Sequence, residues 1–265
     1  MNPETLLAHY DSGALWPASD NASPHGDVPA AYQQALAVRA LRQARGEKPR
    51  GYKIGFTNRN IWAHYNVFGP IWGTVWSTTL AFCDGDGSVS LERCAQPRIE
   101  PEAVFGLKDT PAPDASMDDL FDAIDWVAPG FEIVQSHLPD WKFHAAQTVA
   151  DSALHARLLV GPQRSVREFA SSAGELDQHL AAARVALLRN GELVEQGNGA
   201  NVLEGPLRAL HHFLKELRAC PGAPDLVPGD VVTTGTWTNA WPVQAGQQWS
   251  ADFDAPLSRL SVRFT

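Results

Sequence analysis

The chain of 265 residues lacks the features that identify disulfide-rich, membrane or secreted proteins. It has three cysteines, an odd number without a CxxC spacing, which excludes a disulfide framework and indicates reduced thiols. No window approaches the roughly 18 consecutive apolar residues of a membrane span. The N-terminus has neither the basic segment nor the apolar stretch of a signal peptide. We therefore expect a cytoplasmic protein with no membrane partner.

Positive charge is also scarce. Lysine and arginine number 21 against 30 aspartates and glutamates, and the formal net charge is −9. Because no run rich in lysine or arginine occurs, nucleic acid is excluded as the main partner. The chain is long enough to bury a substantial core, and no repeat or low-complexity linker marks a domain boundary. A single domain is predicted.

Four segments have the capping residues and apolar spacing of helices. The predicted helices begin after Asn2, after Asp27 (ending at Gly46), after Ser116 (ending at Pro129-Gly130) and at Pro206 (ending at Pro221-Gly222). In the third, Met117, Leu120, Phe121, Ile124 and Val127 follow one another at helical spacing. Each predicted helix therefore has an apolar face to pack on a core.

Strand patterns fill much of the remaining chain. The predicted strands cover residues 52–56, 98–107, 131–136, 185–190, 192–197, 230–236 and 259–264. Asn190-Gly191 joins two of them and suits a type I′ turn, in which both central residues need positive φ. Because helices and strands do not alternate regularly, we predict an α+β fold with a mixed or antiparallel sheet.

Three glutamates in two of these strands suggest a metal site. Glu100 and Glu102 share one face of a strand, and Glu132 lies in a second apolar strand. Buried carboxylates repel one another unless a cation compensates them, and an all-oxygen set suits Mg²⁺ or Mn²⁺. A solvated strand face, or ion pairs with Arg98, would also explain the pattern. Pro101 between the first two glutamates predicts a sheet edge or a bulge.

Two further segments contain groups suited to a small-molecule site. Lys53 lies between apolar neighbours and two glycines, so it is a candidate acid/base if it is buried near the carboxylates. A surface lysine on a strand is the alternative. Gly235 and Thr236 follow a strand and could offer a backbone N–H and a hydroxyl to the carboxylate of a ligand.

Seven motifs together resemble a known family. They are GYKIG, RIEPEAVFGL, GFEIVQSH, TVADSA, RNGELVEQGNGANVLEGP, PGDVVTTGTWT and LSVRF, in that order. This order is similar to that of the fumarylacetoacetate hydrolase superfamily, in particular its branch of 2-oxopent-4-enoate hydratases and 4-oxalocrotonate decarboxylases. The resemblance extends from about residue 50 to the end of the chain.

The resemblance implies a mixed β-sheet roll or barrel core with peripheral helices, usually in a homo-oligomer. It implies one catalytic domain over 1–265, with a helical region at 1–48 and the β-roll core at 49–265. It also implies Mg²⁺ or Mn²⁺ held by Glu100, Glu102 and Glu132, a 2-oxo acid substrate, and Lys53 as the acid/base. We expect an enzyme of aromatic compound catabolism, and a partner enzyme of the same pathway is a further expectation.

Members of the family catalyse several different reactions, so the sequence leaves four candidate functions for this chain. Hydration of a 2-hydroxydienoic acid comes first and decarboxylation of a 4-oxalocrotonate-type acid second. C–C bond hydrolysis of a diketo acid would need a histidine hydrogen-bonded to a carboxylate beside the metal. A non-catalytic protein that binds small acids is the fourth candidate.

The chain departs from the family pattern in its polar residues. Ser77 and Thr78 occupy the region where family hydratases carry an acidic residue. His137 and His155 lie near other departures, and either could supply an acid/base or bind a distal carboxylate, or could be a packing residue. An aromatic segment could line a pocket for a bulkier or aromatic-derived acid, or could fill part of the core. It consists of Ile61-Trp62-Ala-His64-Tyr65, followed by Ile71-Trp72 and Trp76.

Overall fold

The structure is a computed structural model that describes residues 1–17 and 26–265. Within these residues, helices lie at the N-terminus and between the strands. The α-helices are α1 (Pro3–Ser12), α2 (Val28–Ala44), α3 (Trp62–Tyr65), α4 (Met117–Ala123), α5 (Ala145–Ala150), α6 (Ala173–Ala182) and α7 (Pro206–Ala219). The caps predicted at Asn2, Asp27 and Ser116 are confirmed, since each side chain accepts a backbone N–H of the first turn. In the described part of the chain, no helix is long and apolar enough to cross a membrane.

The strands form two mixed sheets. They are β1 (Pro49–Gly55), β2 (Ile71–Trp76), β3 (Leu80–Phe82), β4 (Asp86–Val89), β5 (Arg98–Leu107), β6 (Ile124–Val134), β7 (His155–Val160), β8 (Arg164–Ser165), β9 (Arg184–Arg189), β10 (Glu192–Asn198), β11 (Val231–Thr233), β12 (Trp241–Pro242), β13 (Gln248–Phe253) and β14 (Leu260–Phe264). The larger sheet has the order β2-β1-β11-β5-β6-β7-β3, with β12 paired to β5 and β8 to β6. The smaller sheet has the order β10-β9-β13-β14-β4. The predicted α+β class with a mixed sheet is confirmed.

The hairpin between β9 and β10 has the predicted turn. Asn190 and Gly191 have φ values of 52° and 86°, so both central residues take the positive φ of a type I′ turn. The turn residues were therefore a reliable local indication, because the conformation depends on these two residues rather than on distant contacts.

The helix predicted from Ser116 to Pro129 is too long. It ends at Ala123, and Ile124 begins β6, which continues through Pro129-Gly130. The reason is tertiary, since β6 pairs with β5 along nearly its whole length and is buried on both faces. A strand buried on both faces shows no alternation of polar and apolar residues, so its apolar positions resembled helical spacing.

Pro101 lies neither at a sheet edge nor at a bulge, contrary to the expectation, since its register with β6 is regular. Its strand β5 is flanked by β6 on one side and by β11 and β12 on the other. The carbonyl of Pro101 accepts the N–H of Trp237, between the end of β11 and the start of β12. On this side of β5, Pro101 lies in the gap between β11 and β12. Because no strand pairs with it there, the lack of an N–H costs no hydrogen bond of the sheet.

Strand register brings the charged residues of the larger sheet together. In the antiparallel pair of β5 and β6, Glu100 lies directly opposite Glu132, and Glu102 lies opposite Gly130. In the parallel pair of β1 and β11, Lys53 is aligned with Thr233. These two registers place one lysine and three glutamates in the same part of the sheet.

The pairing of β1 with β11 requires glycine at position 51. Gly51 has φ +126°, and a Cβ built on it would lie 1.9 Å from the carbonyl oxygen of Val231. Any side chain would force the two strands apart, because the obstructing atom belongs to the backbone.

We expect Gly51→Ala to lower the free energy of unfolding by about 2 kcal/mol more than Gly246→Ala does. Gly246 is the matched control, since it also has positive φ (+86°) but no atom lies within 4 Å of the place that a Cβ would take. Urea denaturation of both variants measures the difference. Equal losses would show that the close approach of β1 and β11 does not constrain this position.

Candidate active site

Four charged side chains from three strands form a buried cluster. Carboxylate oxygens of Glu100, Glu102 and Glu132 lie within 4.8 Å of one another, and Lys53 Nζ is 3.2 Å from Glu132 Oε2. Glu102 and Glu132 are fully buried, and Lys53 is 3% exposed. Neither a surface lysine nor a solvated strand face fits this burial. Arg98 does not form the alternative ion pair, because its guanidinium stacks over Trp141 at 4.2 Å from the ring centroid.

Hydrogen bonds on one oxygen orient each of the two fully buried carboxylates. Glu102 Oε2 accepts the hydroxyl of Thr233 and, at 2.6 Å, the N–H of Gly235. Glu132 Oε1 is hydrogen-bonded to His155 Nδ1 at 2.8 Å. These contacts hold the carboxylates in fixed orientations.

The other carboxylate oxygen of Glu102 tests whether a metal ion fits the cluster. Within the described residues, Glu102 Oε1 is buried and has no hydrogen-bond partner. A buried anionic oxygen without a partner is costly, whereas coordination to a cation would satisfy it. Carboxylate oxygens are the donors that hard divalent cations prefer. The residues present therefore fit a divalent metal.

The pKa values of the cluster reflect an excess of negative charge. Burial and the neighbouring carboxylates raise the pKa of Glu102 well above its ordinary value. Burial, opposed by Lys53 and reinforced by Glu132, raises the pKa of Glu100 to about 7. Burial acts to lower the pKa of Lys53, but the three carboxylates outweigh it and the pKa is raised. One ammonium group does not compensate three carboxylates, so the cluster favours a further positive charge.

A cavity of about 510 Å³ opens beside the cluster. Lys53, Glu100, Gly235 and Thr236 line it, whereas Glu102 and Glu132 are buried next to it. The volume suits a small organic acid. The cavity thus brings the predicted acid/base lysine and one predicted metal ligand to a common space.

Gly235 and Thr236 lie at the cavity but are already engaged. The N–H of Gly235 donates to Glu102, and the hydroxyl of Thr236 donates to the carbonyl of Thr238 at 3.0 Å. Gly235 has φ +103°, and a Cβ on it would lie 2.1 Å from Thr57 Oγ1. The N–H of Gly235 was predicted to bond the carboxylate of the substrate. In the structure it instead positions the carboxylate of Glu102.

The two predicted histidines do not line the cavity. His155 supports Glu132 from outside the cavity, and its Nε2 is hydrogen-bonded to Thr79 Oγ1 at 2.9 Å. His137 is fully buried, with Nδ1 2.6 Å from Asp151 Oδ1. Burial acts to lower the pKa of His137, but Asp151 outweighs it and the pKa is raised. The predicted catalytic role of His137 and the predicted substrate contact of His155 are not supported by these positions, because other protein groups surround both rings.

Trp72 is a core residue rather than part of the cavity wall. Its ring stacks on Tyr32 at 4.5 Å and meets Tyr52 edge-on at 5.7 Å. These positions do not support the predicted substrate contact, since the side chain packs against Tyr32 of α2 and Tyr52 of β1. Thr78 also lies away from the cavity, in the turn after β2, where its hydroxyl donates to Glu47.

Sequence reasoning missed several residues of the cavity wall, four of them between strands and one in β10. Phe56, Trp141, Phe143, Glu195 and Asn239 line it and were not predicted to do so. The predicted aromatic segment was the local indication of the wall, and its residues Ile61, Tyr65 and Ile71 do line the cavity. Loop positions lack the periodicity that identifies faces of helices and strands.

Known proteins share sequence with this chain over nearly its whole length. Residues 73–261 match the model of the fumarylacetoacetate (FAA) hydrolase C-terminal family. A 2-hydroxyhexa-2,4-dienoate hydratase of Comamonas testosteroni is 34% identical over 254 residues, which is 95% of this chain and 91% of that protein. A 4-oxalocrotonate decarboxylase of Pseudomonas sp. (strain CF600) is 30% identical over 264 residues, which is 98% of this chain and 95% of that protein.

A solved structure has the same fold over nearly the whole chain. It is a 4-oxalocrotonate decarboxylase from Pseudomonas putida G7, complexed with magnesium and adipate. The TM-score is 0.85 at 29% identity, with 99% of this chain and 95% of that chain covered. This similarity confirms the fold that the sequence motifs implied.

We expect Glu102→Gln to weaken Mg²⁺ binding by more than about tenfold, because it removes one of three anionic ligands. The metal-free variant should unfold at the same temperature or higher, since the change relieves repulsion among buried carboxylates. Titration calorimetry with Mg²⁺ and thermal denaturation measure the two effects. Glu192→Gln on the exposed part of β10 is the control. An unchanged Mg²⁺ titration would remove Glu102 from the metal site.

Proposed function

Because this chain belongs to the fumarylacetoacetate hydrolase C-terminal family, we propose that it is a divalent-metal-dependent lyase of the 2-oxopent-4-enoate hydratase type. Its substrate would be a small 2-hydroxy-2,4-dienoic acid or the corresponding 2-oxo acid. The observation that carries the proposal is the buried cluster of Lys53, Glu100, Glu102 and Glu132 beside a cavity of suitable size.

The three glutamates would hold the metal ion, with Mg²⁺ and Mn²⁺ both suited to an all-oxygen set. When bound, such an ion supplies positive charge that stabilises the oxyanion of a 2-oxo acid. The bonds from Thr233 and Gly235 to Glu102, and the bond between His155 and Glu132, would keep the two ligands oriented. These residues are therefore positioning residues in the proposal.

Lys53 would hold the proton that moves during the reaction. Lys53 lines the cavity, and its Nζ lies 3.2 Å from Glu132 Oε2, so the amine is placed between the carboxylate cluster and the substrate space. Hydration of a dienol begins with movement of a proton along the conjugated chain to give an unsaturated ketone, to which water adds. The enol O–H loses a proton and a carbon of the chain gains one, so Lys53 at the cavity would donate one proton and take up the other.

Decarboxylation is the second candidate, because the same arrangement would stabilise the electrons released when CO₂ leaves a 4-oxalocrotonate-type acid. The similar proteins include one named a hydratase and one named a decarboxylase. Hydration ranks first because Lys53 is the one cationic side chain among the described residues of the cavity wall. A substrate with two carboxylates would therefore find a single positive group of the protein there.

C–C bond hydrolysis ranks lower despite two histidine–carboxylate pairs. His155 pairs with Glu132, and His137 pairs with Asp151. Either pair would favour hydrolysis if it could activate a water molecule in the cavity. Neither histidine lines the cavity, so neither ring reaches a water molecule there.

We also expect the chain to act as a homo-oligomer, and a partner enzyme of the same pathway remains a prediction. The non-catalytic alternative predicts metal and acid binding without turnover. An assay of turnover on both acids separates it from the proposed lyase.

The proposal predicts loss of the diene absorbance of 2-hydroxypenta-2,4-dienoate when protein and Mg²⁺ or Mn²⁺ are both present. Ultraviolet monitoring of metal-free and metal-loaded protein, with product analysis, measures it. Release of CO₂ from 4-oxalocrotonate at a higher kcat/KM would reverse the ranking of the two lyase reactions. Absence of turnover on both acids, together with metal binding, would support the binding protein instead.

Lys53→Met should lower kcat by about 10²- to 10⁴-fold, because it removes the proposed proton donor while nearly keeping the side chain's length. Mg²⁺ affinity should be kept or increased, because a positive charge beside the carboxylates is removed. The control is Lys215→Met on the exposed surface of α7. Wild-type kcat in Lys53→Met would exclude Lys53 as the acid/base.

A further inference from the structure

Four aromatic rings form a continuous part of the cavity wall. The rings of Phe56 and Tyr65 stack at 4.8 Å, Tyr65 and Phe143 at 5.6 Å, and Phe143 meets Trp141 at 6.1 Å. All four residues line the cavity, together with Ile61 and Ile71. Such a wall stabilises an apolar group by removing it from water.

Positive charge is scarce in the same cavity. Among the described lining residues, Lys53 is the one with a cationic side chain, and it is already paired with Glu132. Two other lining residues, Glu100 and Glu195, carry carboxylates. A second carboxylate on a ligand would therefore lose water without gaining a cation of its own.

Two cations near the aromatic rings do not change this conclusion. Arg98 stacks over Trp141 and does not line the cavity. The side chain of Lys142 is 83% exposed and lies 3.8 Å from Asp140. Lys142 does not line this cavity either.

Glu195 holds its negative charge in a fixed place on the wall. Its carboxylate accepts the N–H of Asn239 at 3.1 Å, the amide of Asn239 at 2.9 Å and the indole N–H of Trp241 at 2.6 Å. Three donors fix the orientation of the carboxylate. A like charge on a ligand in the cavity would be repelled by it.

We propose that this wall selects 2-oxo or 2-hydroxydienoic monocarboxylic acids with an apolar alkyl or aryl group at the distal end, and rejects acids with a second, distal carboxylate. The aromatic rings bind the distal group, and Glu195 is the residue that discriminates by charge. The inference rests on the proposed function, because it takes the 2-oxo acid end of the ligand to lie at the lysine and carboxylate cluster.

A matched pair of ligands tests the selection without turnover. 2-Oxohexanoate and 2-oxoadipate have the same chain of six carbons and differ in a terminal methyl against a terminal carboxylate. We expect the Mg²⁺-loaded protein to bind 2-oxohexanoate at least about tenfold more tightly in titration calorimetry. A smaller ratio, or tighter binding of 2-oxoadipate, would overturn the inference.

Glu195→Gln tests the residue assigned to the discrimination. The change keeps the shape of the side chain and removes its charge, so the ratio of the two dissociation constants should fall by about three- to tenfold. Glu192→Gln, exposed on the same strand, should leave the ratio unchanged. An unchanged ratio in folded Glu195→Gln would remove Glu195 as the discriminating residue.

A second variant keeps the test informative if Glu195→Gln does not fold. Phe143→Lys places a cation on the wall and should move the ratio toward 2-oxoadipate by about tenfold or more. No change in the ratio would contradict the position assigned to the distal group.

The same titrations separate failure of the inference from failure of the proposed function. If both acids bind and the dicarboxylate is preferred, the selection is wrong and a 2-oxo acid site remains. If neither acid binds to the Mg²⁺-loaded protein, the proposed function fails, and the inference fails with it.

Discussion

Two buried carboxylates and a half-buried third share a single ammonium group, and the surrounding strands must compensate their negative charge. Glu100 and Glu132 face one another across an antiparallel strand pair, and Glu102 follows on the same face. Burial, reinforced by repulsion from Glu132, raises the pKa of Glu100 to about 7. Such a cluster is tolerable in a sheet interior only with compensation, from Lys53 and from a cation that the unpaired oxygen of Glu102 would bind.

The strands around the cluster are arranged to maintain this compensation. The parallel pairing of β1 with β11 brings Lys53 beside Thr233, whose hydroxyl donates to Glu102. That pairing needs the close backbone approach at Gly51. His155 completes the support from outside the cavity, since it joins Glu132 to Thr79. His155 is thus hydrogen-bonded to a proposed metal ligand and does not line the cavity.

The division between strands and loops gives the site a rigid part and a changeable part. The charged cluster is built on paired strands, which hold it rigidly. The aromatic wall and Glu195 come from loops, the short helix α3 and strand β10. A rigid cluster with a changeable wall is consistent with similar proteins that include both a hydratase and a decarboxylase. In this chain the wall is aromatic and poor in positive charge, which is the basis for ranking an apolar monocarboxylic acid first.

Features that depend on a few neighbouring residues could be predicted from the sequence alone. The helix caps at Asn2, Asp27 and Ser116, the turn at Asn190-Gly191, and the shared face of Glu100 and Glu102 follow from local conformation and strand period. The family motifs added the fold, and they agree with the metal site that strand spacing had suggested for the three glutamates.

Other features required the packed chain. The strand at residues 124–130, the burial of His137 and Trp72 away from the cavity, and the positions of Phe143 and Glu195 on its wall are of this kind. Each of them depends on pairing and packing between segments distant in sequence, which no local pattern records.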